Sequence, residues 1–112
     1  MKVTDTPIEG VKILEPDVFR DARGYFFESY NSRNWASAGV DPCFLQDNES
    51  RSQRGVVRGL HYQLEPFAQT KLVRVVHGAV FDVALDLLRG SPTFGRWFGT
   101  ELSGENKMQM LI

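Results

Sequence analysis

Arg58, His61 and Gln63 bring a cation, an imidazole and a carboxamide into six successive positions, inside the run GVVRGLHYQ at residues 55–63. Histidine is the side chain whose ordinary pKa lets it take or release a proton near neutral pH. Val56, Val57, Leu60 and Tyr62 around it suit a partly buried strand, where a polar side chain needs a partner or a ligand. Arg58 and His61 lie three positions apart, so an ideal strand points them to opposite faces. Gly59 between them is placed to carry a bulge or bend that returns both to one site. The alternative is a core histidine bonded to the backbone, and this segment alone leaves both readings open. His77, the other histidine, stands beside Gly78 at an expected turn and is expected to be exposed.

Polar groups elsewhere add to this list. Residues 43–50 read as a strand running into polar ground, with Gln46 and Asn48 on one side. That pair suits recognition of hydroxyls or carbonyls, or equally a solvated sheet face. On the strand expected at residues 79–87, Asp82 and Asp86 share a face with Val80 and Ala84. Two carboxylates on a largely apolar face need partners, and Lys71 and a histidine are the expected ones. Arg23 and Glu28 have the bland alternative of a surface ion pair, which contributes little to stability.

These groups must be held by a framework, and the pattern gives one. Residues 11–14, 18–20 and 25–30 read as strands, separated by turns at 15–17 and 21–24. Residues 31–38 form the expected helix: Asn31 or Ser32 caps its start, Gly39 ends it and Trp35 packs on the body. Residues 64–70 read as a loop. Residues 71–76 and 79–87 are expected to pair as a hairpin around His77 and Gly78. Strands at 94–102 and 107–112 follow. Roughly eight or nine short strands with one helix define an all-β sandwich or barrel, a single domain over residues 1–112.

Composition removes several function classes. The 112 residues are 42% hydrophobic and 24% charged, as in an ordinary globular domain. With 13 basic against 14 acidic residues the net charge is -1, which offers no global attraction to nucleic acid or an anionic membrane. Cys43 is the single cysteine, so an intrachain disulfide is excluded and a reducing compartment fits. Neither a signal peptide nor a membrane-spanning run stands out, and a cytoplasmic location is the expectation.

Seven runs in order carry a resemblance: FRDARGYFFESY (19–30), QDNES (46–50), GVVRGLHYQ (55–63), KLVR (71–74), FDVALD (81–86), SPTFG (91–95) and LSGENKM (102–108). Each is weak alone, but their order and spacing resemble the dTDP-4-dehydrorhamnose 3,5-epimerase family, cupin-type jelly rolls. The resemblance covers nearly all of this chain and the first part of the family's length. It implies a metal-independent and cofactor-free epimerase acting at C3 and C5 of dTDP-4-dehydro-6-deoxy-glucose. In that chemistry a base removes the proton beside a ketone and a cation stabilises the enolate oxygen. By resemblance His61 is the base and Lys71 sits at the developing oxyanion, with Asp82 behind them. Arg23 and Arg58 resemble the groups that meet the pyrophosphate, where forked donors suit phosphate oxygens. Glu28, Gln46 and Asn48 match positions that hold nucleotide or sugar.

The resemblance also implies a homodimer in which Arg23 and Glu28 reach the partner's site. Metal-binding cupins show paired histidines where this chain has only His61 in Leu60-His61-Tyr62-Gln63, so no metal is expected. The family pattern continues past the equivalent of Ile112 into a Gly-Phe-Ala-His-Gly-Phe segment, then a tyrosine acid and an aspartate that pairs with the base. The chain is therefore expected to be the front part of an epimerase, incomplete at its C-terminal side. Alone it is expected to lack turnover and to associate through an uncovered strand at 107–112. The remaining readings are a related dTDP-sugar 3- or 5-epimerase or ketoisomerase, or a non-catalytic nucleotide-sugar binding fragment.

Overall fold

A computed structural model describes residues 1–40 and 43–112. Its strands are β1 (Lys2–Asp5), β2 (Lys12–Glu15), β3 (Phe19–Asp21), β4 (Gly24–Phe26), β5 (Leu72–Arg74), β6 (Ala79–Leu85), β7 (Trp97–Ser103) and β8 (Gln109–Leu111), with one helix, α1 (Ser32–Ser37). An antiparallel sheet in the order β1-β2-β8-β5 forms the centre, and β3–β4 and β6–β7 are separate two-stranded ribbons.

Register explains how this sheet is covered on both faces. Ile13, Met110 and Val73 stand opposite one another across β2, β8 and β5. They pack with Ile8, Val11, and with Ala84 and Leu102 of the β6–β7 ribbon. The alternate positions Leu14, Leu111 and Leu72 point the other way, onto Trp35 of α1 and Val40. Two apolar layers therefore sandwich one sheet.

Helix α1 forms as its residues dictate. Asn31 is the N-cap, its Oδ1 accepting from the N–H groups of Arg33 (3.1 Å) and Asn34 (3.3 Å). Gly39 closes the far end at φ +75, a conformation that favours glycine. Trp35 is driven edge-on into Tyr30 and Phe44, at 5.0 and 6.4 Å between ring centroids.

Four expectations are corrected. The segments at 43–50 and 55–63 are not strands: among the described residues, 43–71 hold no regular element. They have the side chains of strands but no neighbouring strand to pair with, and Val57 is 91% exposed. The hairpin around His77 and Gly78 does not form either. Gly78 does turn the chain at φ +78, but β5 pairs with β8 while β6 pairs with β7. The turn passes the chain from one layer to the other. The strand at 25–30 ends after Phe26. Finally, β8 is no uncovered edge: it lies between β2 and β5, with Gln109, Met110 and Leu111 all buried. His77 is exposed, as expected.

Candidate active site

Strand β6 positions Asp82 opposite Thr100 of β7. Its side chain is half-buried, and Oδ1 accepts from the Val83 N–H at 3.1 Å. Oδ2 is buried with no hydrogen-bond partner among the described residues. Burial pushes this carboxyl above its ordinary pKa, with the Val83 N–H a smaller opposing effect. Asp86, directly after β6, takes the opposite course. Ser91 Oγ and Thr93 Oγ1 donate to Oδ2, the latter at 2.7 Å, and the Leu88 N–H donates to Oδ1 at 2.9 Å. Those donors, Ser91 first, hold it below the ordinary value. The expected pairing of Asp86 with Lys71 or a histidine is replaced by hydroxyls from the turn that follows.

Lys71 stands immediately before β5 and its backbone extends the sheet. Its N–H donates to the Ile112 carbonyl at 2.8 Å, and its own carbonyl accepts from the Ile112 N–H at 2.9 Å. The main chain is thus fixed while the ammonium is exposed. His61 is exposed on the irregular segment that precedes it. Gly59 does break the backbone there, at φ +121, although no strand surrounds it. Arg58 folds back along the same segment, donating from Nε to Ser52 Oγ at 2.9 Å and from Nη2 to the Arg51 carbonyl at 3.0 Å. Gln46 and Asn48 face each other, with Nε2 donating to Oδ1 at 3.1 Å.

Arg23 and Glu28 do not pair with each other. Arg23 sits at the turn of the β3–β4 ribbon and forks onto Asp21, at 2.7 Å from Nη2 and 3.2 Å from Nε. The Arg23 guanidinium holds the exposed Asp21 carboxyl below its ordinary pKa. With its side chain 90% exposed, Arg23 projects away from the body. Glu28 accepts from the side-chain amides of Asn31 (2.9 Å) and Asn34 (2.7 Å) at the start of α1.

Among the described residues no hydrogen bond or ion pair joins His61, Lys71 and Asp82, and no cluster of three His, Cys, Asp or Glu groups is arranged to hold a metal ion. Cavities of about 560 and 520 Å3 lie elsewhere, and none of the eight candidate residues lines either. What the fold does is present candidates from the hairpin, the irregular segment and the sheet on open surface. Sequence reasoning missed two polar residues near β8, Lys107 and Gln109, both buried. Their signal was present, since a lysine and a glutamine interrupt the apolar run NKMQMLI at 106–112.

The dTDP-4-dehydrorhamnose 3,5-epimerase family pattern matches residues 5–112, and the chain belongs to that family. It is 60% identical to the dTDP-4-dehydrorhamnose 3,5-epimerase of Pseudomonas aeruginosa over 113 aligned positions, covering 100% of this chain and 62% of that protein. The crystal structure of the Bacillus anthracis dTDP-4-dehydrorhamnose 3,5-epimerase with TDP and PPi bound superposes with a TM-score of 0.95 at 47% identity, over 99% of this chain and 64% of that one. The Legionella pneumophila dTDP-6-deoxy-D-glucose-3,5-epimerase, in complex with dTDP-4-keto-L-rhamnose, gives 0.93 at 51% identity, over 99% and 59%. The strands are thus those of a cupin-type jelly roll. The chain spans about three-fifths of these relatives' length.

Proposed function

We propose that the protein carrying this chain epimerises dTDP-4-dehydro-6-deoxy-glucose at C3 and C5 to dTDP-4-dehydro-rhamnose, without metal or cofactor. The observation that supports this reading is the family match over residues 5–112, which contains all eight candidate residues. His61 removes the proton from the carbon beside the 4-keto group. The C–H electron pair moves into an enolate, whose oxygen is met by the Lys71 ammonium. Reprotonation from the opposite face inverts the centre. Asp82 supports the base from behind, its raised pKa in keeping with a carboxyl beside proton-transfer chemistry. Arg58 and Arg23 meet the pyrophosphate, and Gln46, Asn48 and Glu28 hold the nucleotide and sugar.

The protein acts as a homodimer in this reading. The exposed hairpin with Arg23 at its tip and Phe19 and Phe26 along it is suited to cover a second copy's site. In the Bacillus anthracis and Legionella pneumophila structures the bound molecules are TDP with PPi and a dTDP-4-keto sugar, the ligand class proposed here.

Incubating the protein with the 4-keto substrate in D2O tests the reaction. Deuterium is expected at both C3 and C5. Incorporation at one carbon alone would mean a mono-epimerase. Tight dTDP-sugar binding with no incorporation at either would mean a binding module.

A further inference from the structure

The segment that carries Arg23 and Glu28 is held to the body by side chains from the turn after β7 and from β8. All six residues of β3 and β4 are exposed, and among the described residues the two strands pair only with each other. Lys107 reaches them from the turn between β7 and β8. It is only 7% exposed, and its ammonium lies 4.0 Å from the centre of the Tyr25 ring and 5.9 Å from that of Phe27. Among the described residues the ammonium has no hydrogen bond or ion pair, so the ring faces are its partners. Lys107 is also the one described non-glycine residue at positive φ, +57. Such a conformation persists only where surroundings over-determine it. Asn106 does so: its Oδ1 accepts from the N–H groups of Ser103 and Met108, both at 3.0 Å, and its Nδ2 donates to the Glu101 carbonyl at 3.0 Å.

The second anchor is Gln109, which is 1% exposed. Its Nε2 donates to the carbonyl of Ser29 at 2.9 Å, across a separation of 80 residues. Ser29 directly follows Glu28. Lys107 therefore holds the chain just after Arg23, and Gln109 holds it just after Glu28.

We propose that Lys107 and Gln109 are positioning residues that aim Arg23 and Glu28 at the dTDP-sugar. This rests on the nucleotide-binding role proposed above for those two groups. Neither anchor touches substrate; they act by fixing the direction in which the hairpin leaves the sheet.

Lys107→Met keeps the aliphatic stem and removes the charge, while Lys107→Arg keeps a cation over the ring. Steady-state kinetics and dTDP titration on the protein carrying this chain are expected to give a KM and Kd about tenfold higher for Lys107→Met, with kcat changed less than about twofold. Lys107→Arg is expected to recover most of that loss. In an Arg23→Ala background the Lys107→Met loss should largely vanish, because both changes remove the same contact. Should Lys107→Met fail to fold, Tyr25→Leu on the exposed hairpin is expected to show the same KM effect. Unchanged KM in a folded Lys107→Met or in Tyr25→Leu, or equal losses with and without Arg23, would overturn the proposal. Undiminished dTDP binding in Arg23→Ala alone would instead overturn the role of Arg23 on which it rests.

Discussion

Asp82 lies in β6 and Asp86 directly after it, yet only Asp86 is met by several donors. The contrast has a measurable sign. Asp86 has a lowered folded pKa, so its stabilisation is present above the ordinary carboxyl value of 3.8 and fades as pH falls through the folded value. Asp82 has a raised folded pKa, so its ionisation destabilises the fold as pH rises from 3.8 through the folded value. Urea midpoints across pH are expected to show Asp86→Asn losing ground to wild type as pH rises out of the acid range. Asp82→Asn is expected to gain ground over the window just above. Parallel profiles for the two variants would contradict this assignment. The need for partners on β6 was legible in the sequence. The Asp86 partners were not, because charge led to Lys71 and the histidines, whereas the fold supplies hydroxyls from the adjoining SPT turn. The types and order of the eight candidates were equally legible. Their mutual geometry was not, since among the described residues no hydrogen bond or ion pair joins His61 to Lys71 or Asp82.

Elements follow the same division between local and non-local information. Helix α1 was readable because cap, buried face and stop are all encoded within Asn31 to Gly39. Trp35→Ala is expected to lower unfolding free energy by about 3–5 kcal/mol, as deletion of a buried aromatic does. Asn31→Ala, at the half-buried cap, is expected to cost about 1 kcal/mol. Denaturant titration separates the two, and comparable losses would mean that Trp35 is not the anchor of the helix. The β5–β6 relation was not readable, since a glycine turn signals reversal but not which sheet receives the second strand. The turn after β7 adds a steric constraint. A Cβ on Gly104 would come within 2.7 Å of the Val76 carbonyl oxygen, while the Gly104 N–H donates to the Gly78 carbonyl at 2.9 Å. Backbone must move to admit it, so Gly104→Ala is expected to destabilise by about 1–3 kcal/mol. A neutral result in the same titration would show the two turns to be less tightly packed.

For the whole molecule, the sheet buried on both faces contrasts with the exposed apolar side chains of residues 43–71 and of the Arg23 hairpin. That contrast fits a site completed by a second copy, and complementation tests it. Arg23→Ala and His61→Asn chains, each impaired alone, are expected to regain about one quarter of wild-type activity when exchanged in equal amounts. Half of the dimers are then mixed, and each mixed dimer holds one intact site of two. No recovery despite demonstrated subunit exchange would place Arg23 in its own chain's site. The all-β class was legible from strand spacing, but the division into one central sheet and two ribbons was not, since it depends on pairings such as Leu72 with Leu111 that lie far apart in the chain. The central claim is that His61 takes the proton next to the ketone, and the most direct measurement is deuterium incorporation from D2O by His61→Asn beside a dTDP-sugar titration. Asparagine keeps a hydrogen-bonding group but cannot serve as a base at neutral pH. Loss of incorporation at both carbons, by about 100-fold or more, with dTDP-sugar affinity nearly unchanged is the expected result. Incorporation at the wild-type rate would remove His61 from the reaction.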